Sequence, residues 1–170
     1  HVQNAQTNAS VYSYRKIGLD GNRVVNENVS MSNALKDDSW DYISFQQVSD
    51  DAGILSTYTN SLPKLYDYVN NNVSPLTKYI YHQTWAYAPN STHPGFTKYD
   101  KDQLKMYNAI VGTMPAVQKL IPFNLIVPSG TGIQNARTSY LGNNLTRDGY
   151  HLDLNIGRYI ASCTWYESLF

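Results

Sequence analysis

Short β-forming runs alternate with longer runs of helical period along almost the whole chain, and this alternation restricts the fold more than any single residue does. Val11 to Ile17 (VYSYRKI), Asp41 to Gln46 (DYISFQ), Lys78 to His82 (KYIYH) and Phe123 to Val127 (FNLIV) are short and rich in β-branched and aromatic residues, as strands are. Between them, apolar residues recur three and four apart. Ser56 to Asn71 carries Tyr58, Leu62, Leu65, Tyr66 and Val69 on one stripe, with Pro63 weakening its first turn. Asp100 to Leu120 carries Leu104, Tyr107, Ala109, Ile110, Met114 and Val117, and is expected to bend or break near Pro115. Asn28 to Asp38 and Gly132 to Tyr140 predict shorter helices, and Gly18 and Gly21, on either side of Asp20, read as a hairpin or loop turn. Asp153 to Phe170 predicts a closing helix capped by Asp153 or Asn155, with Ile156, Tyr159, Ile160, Cys163, Tyr166 and Phe170 on its inner face.

Strand followed by helix, repeated, is the pattern of βαβ units, so the expected fold is α/β: a mostly parallel sheet with helices on both faces, in one domain over residues 1–170. In such sheets ligands gather outside the C-terminal ends of the strands. Three apolar runs end there in polar clusters: Gln46-Gln47, then His82-Gln83-Thr84-Trp85, then Ser129-Gly130-Thr131 after a strand-stopping Pro128. One such end is ordinary loop chemistry, whereas three in succession point to a pocket along one rim.

Charge and composition narrow the class. Lys plus Arg is 13 and Asp plus Glu is 13, so the formal charge is zero, which argues against a nucleic-acid or anionic-membrane surface. No apolar run reaches the roughly 18–20 residues that cross a bilayer. Hydrophobic residues are 42% and charged residues 15%, a balance that favours a packed core over disorder. Fifteen Tyr and 17 Asn with so little charge suit a secreted or periplasmic protein handling polar, sugar-like ligands, although Tyr also fills half-buried positions in many folds. Cys163 is the sole cysteine, so there is no internal disulfide. The chain opens at His1, without Met and without a signal-peptide pattern, so either it was processed or something upstream has been lost.

Thr146-Arg147-Asp148-Gly149-Tyr150-His151-Leu152 carries the most chemistry. Asp148 and His151 stand three apart with a Gly between them that lets the carboxylate turn back to the imidazole. A carboxylate on one ring nitrogen fixes the tautomer and leaves the other nitrogen to take a proton from a nucleophile. The plainer reading is an Asp capping a turn beside a surface His. The four histidines show no metal-ligand spacing, so neither a metal nor another cofactor is expected; a site using His82 and His151 is the metal alternative. Ser129-Gly130-Thr131-Gly132 leads into a helix but is neither a P-loop nor a dinucleotide fingerprint. Ser129 also lacks a nucleophile elbow, since Val127 and Thr131 stand where the flanking glycines belong. No serine in the chain carries the pattern of an activated nucleophile.

Arg147-Asp148-Gly149-Tyr150-His151-Leu152, followed by Gly157-Arg158-Tyr159, resembles the closing block of the SGNH (GDSL-like) hydrolase superfamily. Trp40-Asp41-Tyr42-Ile43 with Gln46-Gln47, His82-Gln83-Thr84-Trp85-Ala86-Tyr87 and Pro128-Ser129-Gly130 are similar to a bacterial branch of it known as a domain of unknown function. The resemblance runs from about Tyr12 to the C-terminus. It implies a three-layer, flavodoxin-like fold lacking its first strand, with the chain corresponding to the C-terminal two-thirds of such a hydrolase.

By the same resemblance, His151 is the general base and Asp148 orients it. Gln46 or Gln47 stands where the superfamily places an Asn that donates to the oxyanion, and His82, Trp85, Tyr87 and Ser129 line the substrate pocket. The nucleophilic serine belongs to a missing N-terminal segment of the same protein, so these residues alone are expected to be inactive. The implied activity is ester hydrolysis on a small-molecule or glycan ester, with deacylation of a carbohydrate foremost. The rival from another class is a non-catalytic glycan-binding domain in which Trp85, Tyr87 and Tyr150 stack on sugar rings.

Overall fold

The structure is a computed structural model and describes residues 1–170. Two compact units can be told apart, one formed by His1–Ile43 and Asn60–Lys78, the other by Ser44–Thr59 and Tyr79–Phe170.

The first unit begins with a short helix, α1 (Val2–Gln6), and an antiparallel hairpin of β1 (Tyr12–Ile17) and β2 (Arg23–Val29). Its turn is the one expected around Asp20: Gly18 N–H donates to the Asn22 carbonyl, and Gly21 takes the left-handed φ of +79° that glycine tolerates. The helix expected over Asn28 to Asp38 is shorter: α2 is only Met31–Leu35, capped by the Ser30 hydroxyl, which accepts from Asn33 N–H. Asn28 and Val29 instead end β2, because pairing with β1 supplies hydrogen bonds that a helix start would leave unmade.

Both β3 (Tyr42–Phe45) and β4 (Lys78–His82) begin in the first unit and continue into the second. With β5 (Leu125–Val127) they form one sheet in the order β3–β4–β5, β4 and β5 running parallel with Ile80 opposite Leu125 and His82 opposite Val127. The α/β architecture of parallel strands flanked by helices is therefore as expected. In the central strand Tyr79, Ile80 and Tyr81 are all buried, as a strand covered on both faces requires.

The expected helix over Ser56 to Asn71 is two helices, α3 (Ser56–Thr59) and α4 (Leu62–Asn70). Pro63 falls in the first turn of α4, where an N–H has no partner inside that helix, and without an N–H it cannot bond back to α3, so it opens a new helix instead of continuing the old one. Pro115 behaves differently. Helix α5 (Gln103–Val117), capped by Asp102, runs through it and forgoes only the one backbone bond that Pro115 cannot donate. Met106, Ile110 and the exit of β4 (Ala86, Tyr87) close one cluster with Ala52, Phe96 and Tyr99.

Helix α6 (Ser129–Arg137) begins directly at Ser129, so Pro128 ends β5 and starts the helix in one step, without the intervening turn expected there. Helix α7 (Ile156–Leu169) is capped by Asp153, whose carboxylate accepts from Asn155, Ile156 and Gly157 N–H. Its expected inner face is mostly its outer one. Ile156, Tyr159, Cys163, Tyr166 and Phe170 are exposed, while Ile160 and Ala161 pack with Trp85 on the cluster of Ile133, Leu145 and Leu152. Small residues decide this: Gly132 of α6 lies where a side chain would meet Thr164, so α6 and α7 approach along the Gly157–Ile160–Thr164 side.

Candidate functional site

The ends of β3, β4 and β5 meet through their side chains. His82, the last residue of β4, places Nδ1 2.7 Å from Gln46 Oε1 and Nε2 3.0 Å from Ser129 Oγ. A carboxamide oxygen only accepts, so Nδ1 carries the proton and donates to Gln46, and the Ser129 hydroxyl donates to Nε2. The Trp85 and Trp165 rings flank the imidazole, with centroids 6.3 and 5.2 Å away. Burial among them pushes the His82 pKa down to about 4, so the ring is neutral at physiological pH.

Ser129 is brought to His82 by a close approach of two backbones. Gly130 N–H donates to the Gln83 carbonyl, and a Cβ on Gly130 would lie 2.0 Å from the Thr84 carbonyl oxygen, so only glycine fits. The buried Gln83 side chain accepts from both the N–H and the hydroxyl of Thr131, satisfying the first turn of α6.

The two glutamines, equivalent in sequence, differ in structure. Gln47 is tied down at both ends: its Nε2 donates to the Thr57 hydroxyl at 3.0 Å and to the Thr57 carbonyl at 3.4 Å, and its Oε1 accepts from Val48 N–H at 2.9 Å. Gln46 is exposed, and its only hydrogen bond is through Oε1, so both Nε2 donors stay open.

Asp148 and His151 meet as the three-residue spacing predicts. His151 Nδ1 lies 2.6 Å from Asp148 Oδ2, while Asp148 Oδ1 accepts from the N–H groups of Tyr150 and His151. Gly149, at φ +89°, makes this turn, and a Cβ there would strike the Ser91 backbone. Desolvation works to raise the Asp148 pKa, but the His151 ring and the two backbone donors outweigh it and hold the carboxyl at about 2. The loop is fastened by a Thr146–Leu152 bridge and by Ala88 N–H donating to the Gly149 carbonyl. His151 is exposed, and its Nε2 makes no hydrogen bond.

Trp85 joins the two groups: one edge faces His82, and its Nε1–H donates to the Tyr150 carbonyl at 2.7 Å. Tyr150 in turn lies against His151, centroids 4.3 Å apart. Two residues expected to line the pocket are instead interior. Tyr87 is 1% exposed because it packs on Phe96 and Tyr150 and bonds the Ser49 hydroxyl, and Ser129 is wholly buried in the first turn of α6. Both His82 nitrogens are hydrogen-bonded, and nowhere do three His, Cys, Asp or Glu side chains converge as metal ligands. Sequence reasoning placed Gln46, His82 and Ser129 on one rim but missed that they form a chain. It did not single out Trp165, whose only signal is an aromatic at helical spacing from Ala161.

The family model described as a domain of unknown function, DUF4886, matches residues 1–170. No curated protein matches the chain. Among solved structures, a DUF4886 family protein from Bacteroides uniformis is 49% identical, with a TM-score of 0.96 over 99% of this chain and 65% of its own. A candidate GDSL-like lipase from Parabacteroides merdae is 19% identical, with a TM-score of 0.55 over 75% of this chain and 59% of its own. A mutant of Axe2, an acetyl-xylooligosaccharide esterase from a Geobacillus, is 15% identical, with a TM-score of 0.50 over 86% of this chain and 71% of its own. At these identities the likeness to the last two is one of fold. The chain thus spans less than two thirds of the length of the first two structures.

Proposed function

From the premise that the chain belongs to the DUF4886 family and has the fold of SGNH hydrolases, we propose that it supplies the acid–base and oxyanion machinery of a serine ester hydrolase. The carrying observation is the Asp148–His151 pair, with Nδ1 held at 2.6 Å and Nε2 exposed and free. In this reading the nucleophilic serine is supplied to that nitrogen by a segment outside these residues.

In the proposed reaction the serine oxygen attacks the acyl carbon as His151 Nε2 takes its proton, and Asp148 stabilises the imidazolium that forms. Gln46, with its amide donors open, offers the oxyanion a hydrogen bond; Gln47 has none to give. His151 then returns the proton to the leaving alcohol, and water releases the acyl group by the same path in reverse. An acylated carbohydrate is the substrate class we favour. Support comes from the acetyl-xylooligosaccharide esterase among the fold neighbours and from the aromatic Tyr150 beside His151, with Trp85 bonded to the Tyr150 carbonyl. Such a substrate accords with a secreted or periplasmic location.

Fluorophosphonate labelling of the longer protein that carries these residues tests the reading. A labelled serine outside them, with label lost in His151→Ala, is the expected result. No label, together with tight binding of an unmodified glycan, would replace the hydrolase by a glycan-binding domain.

A further inference from the structure

The neutral, half-buried His82 has no place in the proton path through His151, yet both its nitrogens are engaged, linking the ends of all three strands of the sheet. Ser129, at the far end, is wholly buried and so cannot meet an acyl carbon; its hydroxyl has His82 Nε2 as its partner. Gln46, at the near end, is exposed. Order therefore runs outward from a buried hydroxyl, through an imidazole walled by Trp85 and Trp165, to a carboxamide at the surface.

The direction of the hydrogen bonds follows from valence. A neutral imidazole has one N–H. Because Ser129 donates to Nε2, that proton stays on Nδ1, where it meets the one Gln46 atom that only accepts. Gripping Oε1 fixes the plane of the carboxamide and leaves Nε2 as the outward group. Without the grip, an exposed Gln side chain has several rotamers, and ordering it at each turnover costs free energy. An oxyanion donor works only if it is held in place before the charge develops.

We propose that His82 is a positioning residue for ester hydrolysis: its Nδ1–H holds the Gln46 carboxamide with the Nε2 donors turned out for the oxyanion, and the buried Ser129 hydroxyl selects the tautomer that does so. This rests on the hydrolase reading above and adds a residue that never touches substrate. Depression of the His82 pKa supports it, since a protonated ring would have no acceptor for Ser129.

Two measurements decide it. On the 170-residue chain, 15N-histidine NMR at neutral pH should show His82 as the Nδ1–H tautomer, and the Nε2–H tautomer would overturn the proposal whatever the enzyme does. In the full-length hydrolase, Gln46→Ala and His82→Ala should each lower kcat by about 10- to 100-fold with little change in KM, and the double variant should be no worse than the worse single. His82→Asn, whose amide nitrogen falls near the Nδ1 position, should recover most of the loss, while His82→Gln, whose amide falls near Nε2, should not. If Gln46→Ala lowers kcat while His82→Ala does not, or if the two effects multiply, the positioning role fails and the hydrolase stands. If the serine is never labelled, the hydrolase reading itself fails.

Discussion

The Trp85 indole N–H donates to the carbonyl of Tyr150 across 2.7 Å, fastening the exit of β4 to the loop that carries His151. These residues are 65 apart in sequence, and the bond makes the two halves of the candidate site one body. Trp85→Phe keeps the ring contacts but leaves that carbonyl without its donor. The expected cost is about 1–2 kcal/mol in urea unfolding, and about tenfold in kcat of the proposed hydrolase as the His151 loop loosens.

Asp148→Asn should preserve the loop, because the side-chain oxygen can still accept from Tyr150 and His151 N–H. The group facing His151 Nδ1 becomes a donor, which drives the ring to the opposite tautomer and blocks Nε2 as a base. A loss of about a thousandfold or more in kcat, with far-UV circular dichroism unchanged, is expected.

Acid should destabilise the fold in two stages. His82 titrates at about 4 in the folded chain against an ordinary 6.5, because burial penalises its charged form. The unfolded chain therefore binds that proton first, and the stability His82 contributes is complete above pH 6.5 and lost between 6.5 and 4, on the order of 3 kcal/mol. Asp148, held at about 2 against 3.8, contributes stability present above pH 3.8 that disappears as pH falls through 2. Urea titrations across this range should show both stages in the parent, and His82→Asn should lack the first.

Two glycines make a matched pair. Gly130→Ala drives a Cβ to 2.0 Å from the Thr84 carbonyl oxygen, a backbone atom that cannot step aside, and should cost about 3 kcal/mol or more. Gly112→Ala, exposed in the middle of α5 with nothing within 4 Å, should stabilise by about 0.5–1 kcal/mol. Melting temperatures that move in opposite directions are the check.

The two faces of α7 should answer substitution oppositely to their hydrophobicity. In this chain Ile160→Ala is expected to cost about 1–2 kcal/mol by opening the Leu145–Leu152 cluster. Tyr159→Ser and Tyr166→Ser, at residues 70% and 63% exposed, should change stability by less than about 0.5 kcal/mol. Equal effects on both faces would contradict the helix rotation described above.

What could be read along the chain was what neighbours in sequence decide. β4 is bounded by Lys78 and His82 as read from its β-forming run, the cap of α7 is one of the two residues read for it, Asp153 and not Asn155, and the Asp148–His151 contact follows from a turn of three residues with a glycine in it. Each rests on bonds made within a few residues, so local pattern suffices. Pro63 and Pro115 show where this stops: the same missing N–H separates two helices at one position and is tolerated at the other, because its cost depends on where along the helix it falls.

Only the tertiary structure decided which face of α7 turns inward, which of two adjacent glutamines keeps its donors, and that a histidine between two tryptophans reaches a serine 47 residues away. Hydrophobicity ranks faces, but the approach of α6 at Gly132 chose the one that packs. Gln46 and Gln47 are the same residue chemically; they differ because, just past the end of β3, Gln46 meets His82 and Gln47 meets Thr57, partners that only the fold brings there. The Ser129–His82–Gln46 chain exists because parallel strands bring residues far apart in sequence to one rim, and no spacing along a single segment encodes that convergence.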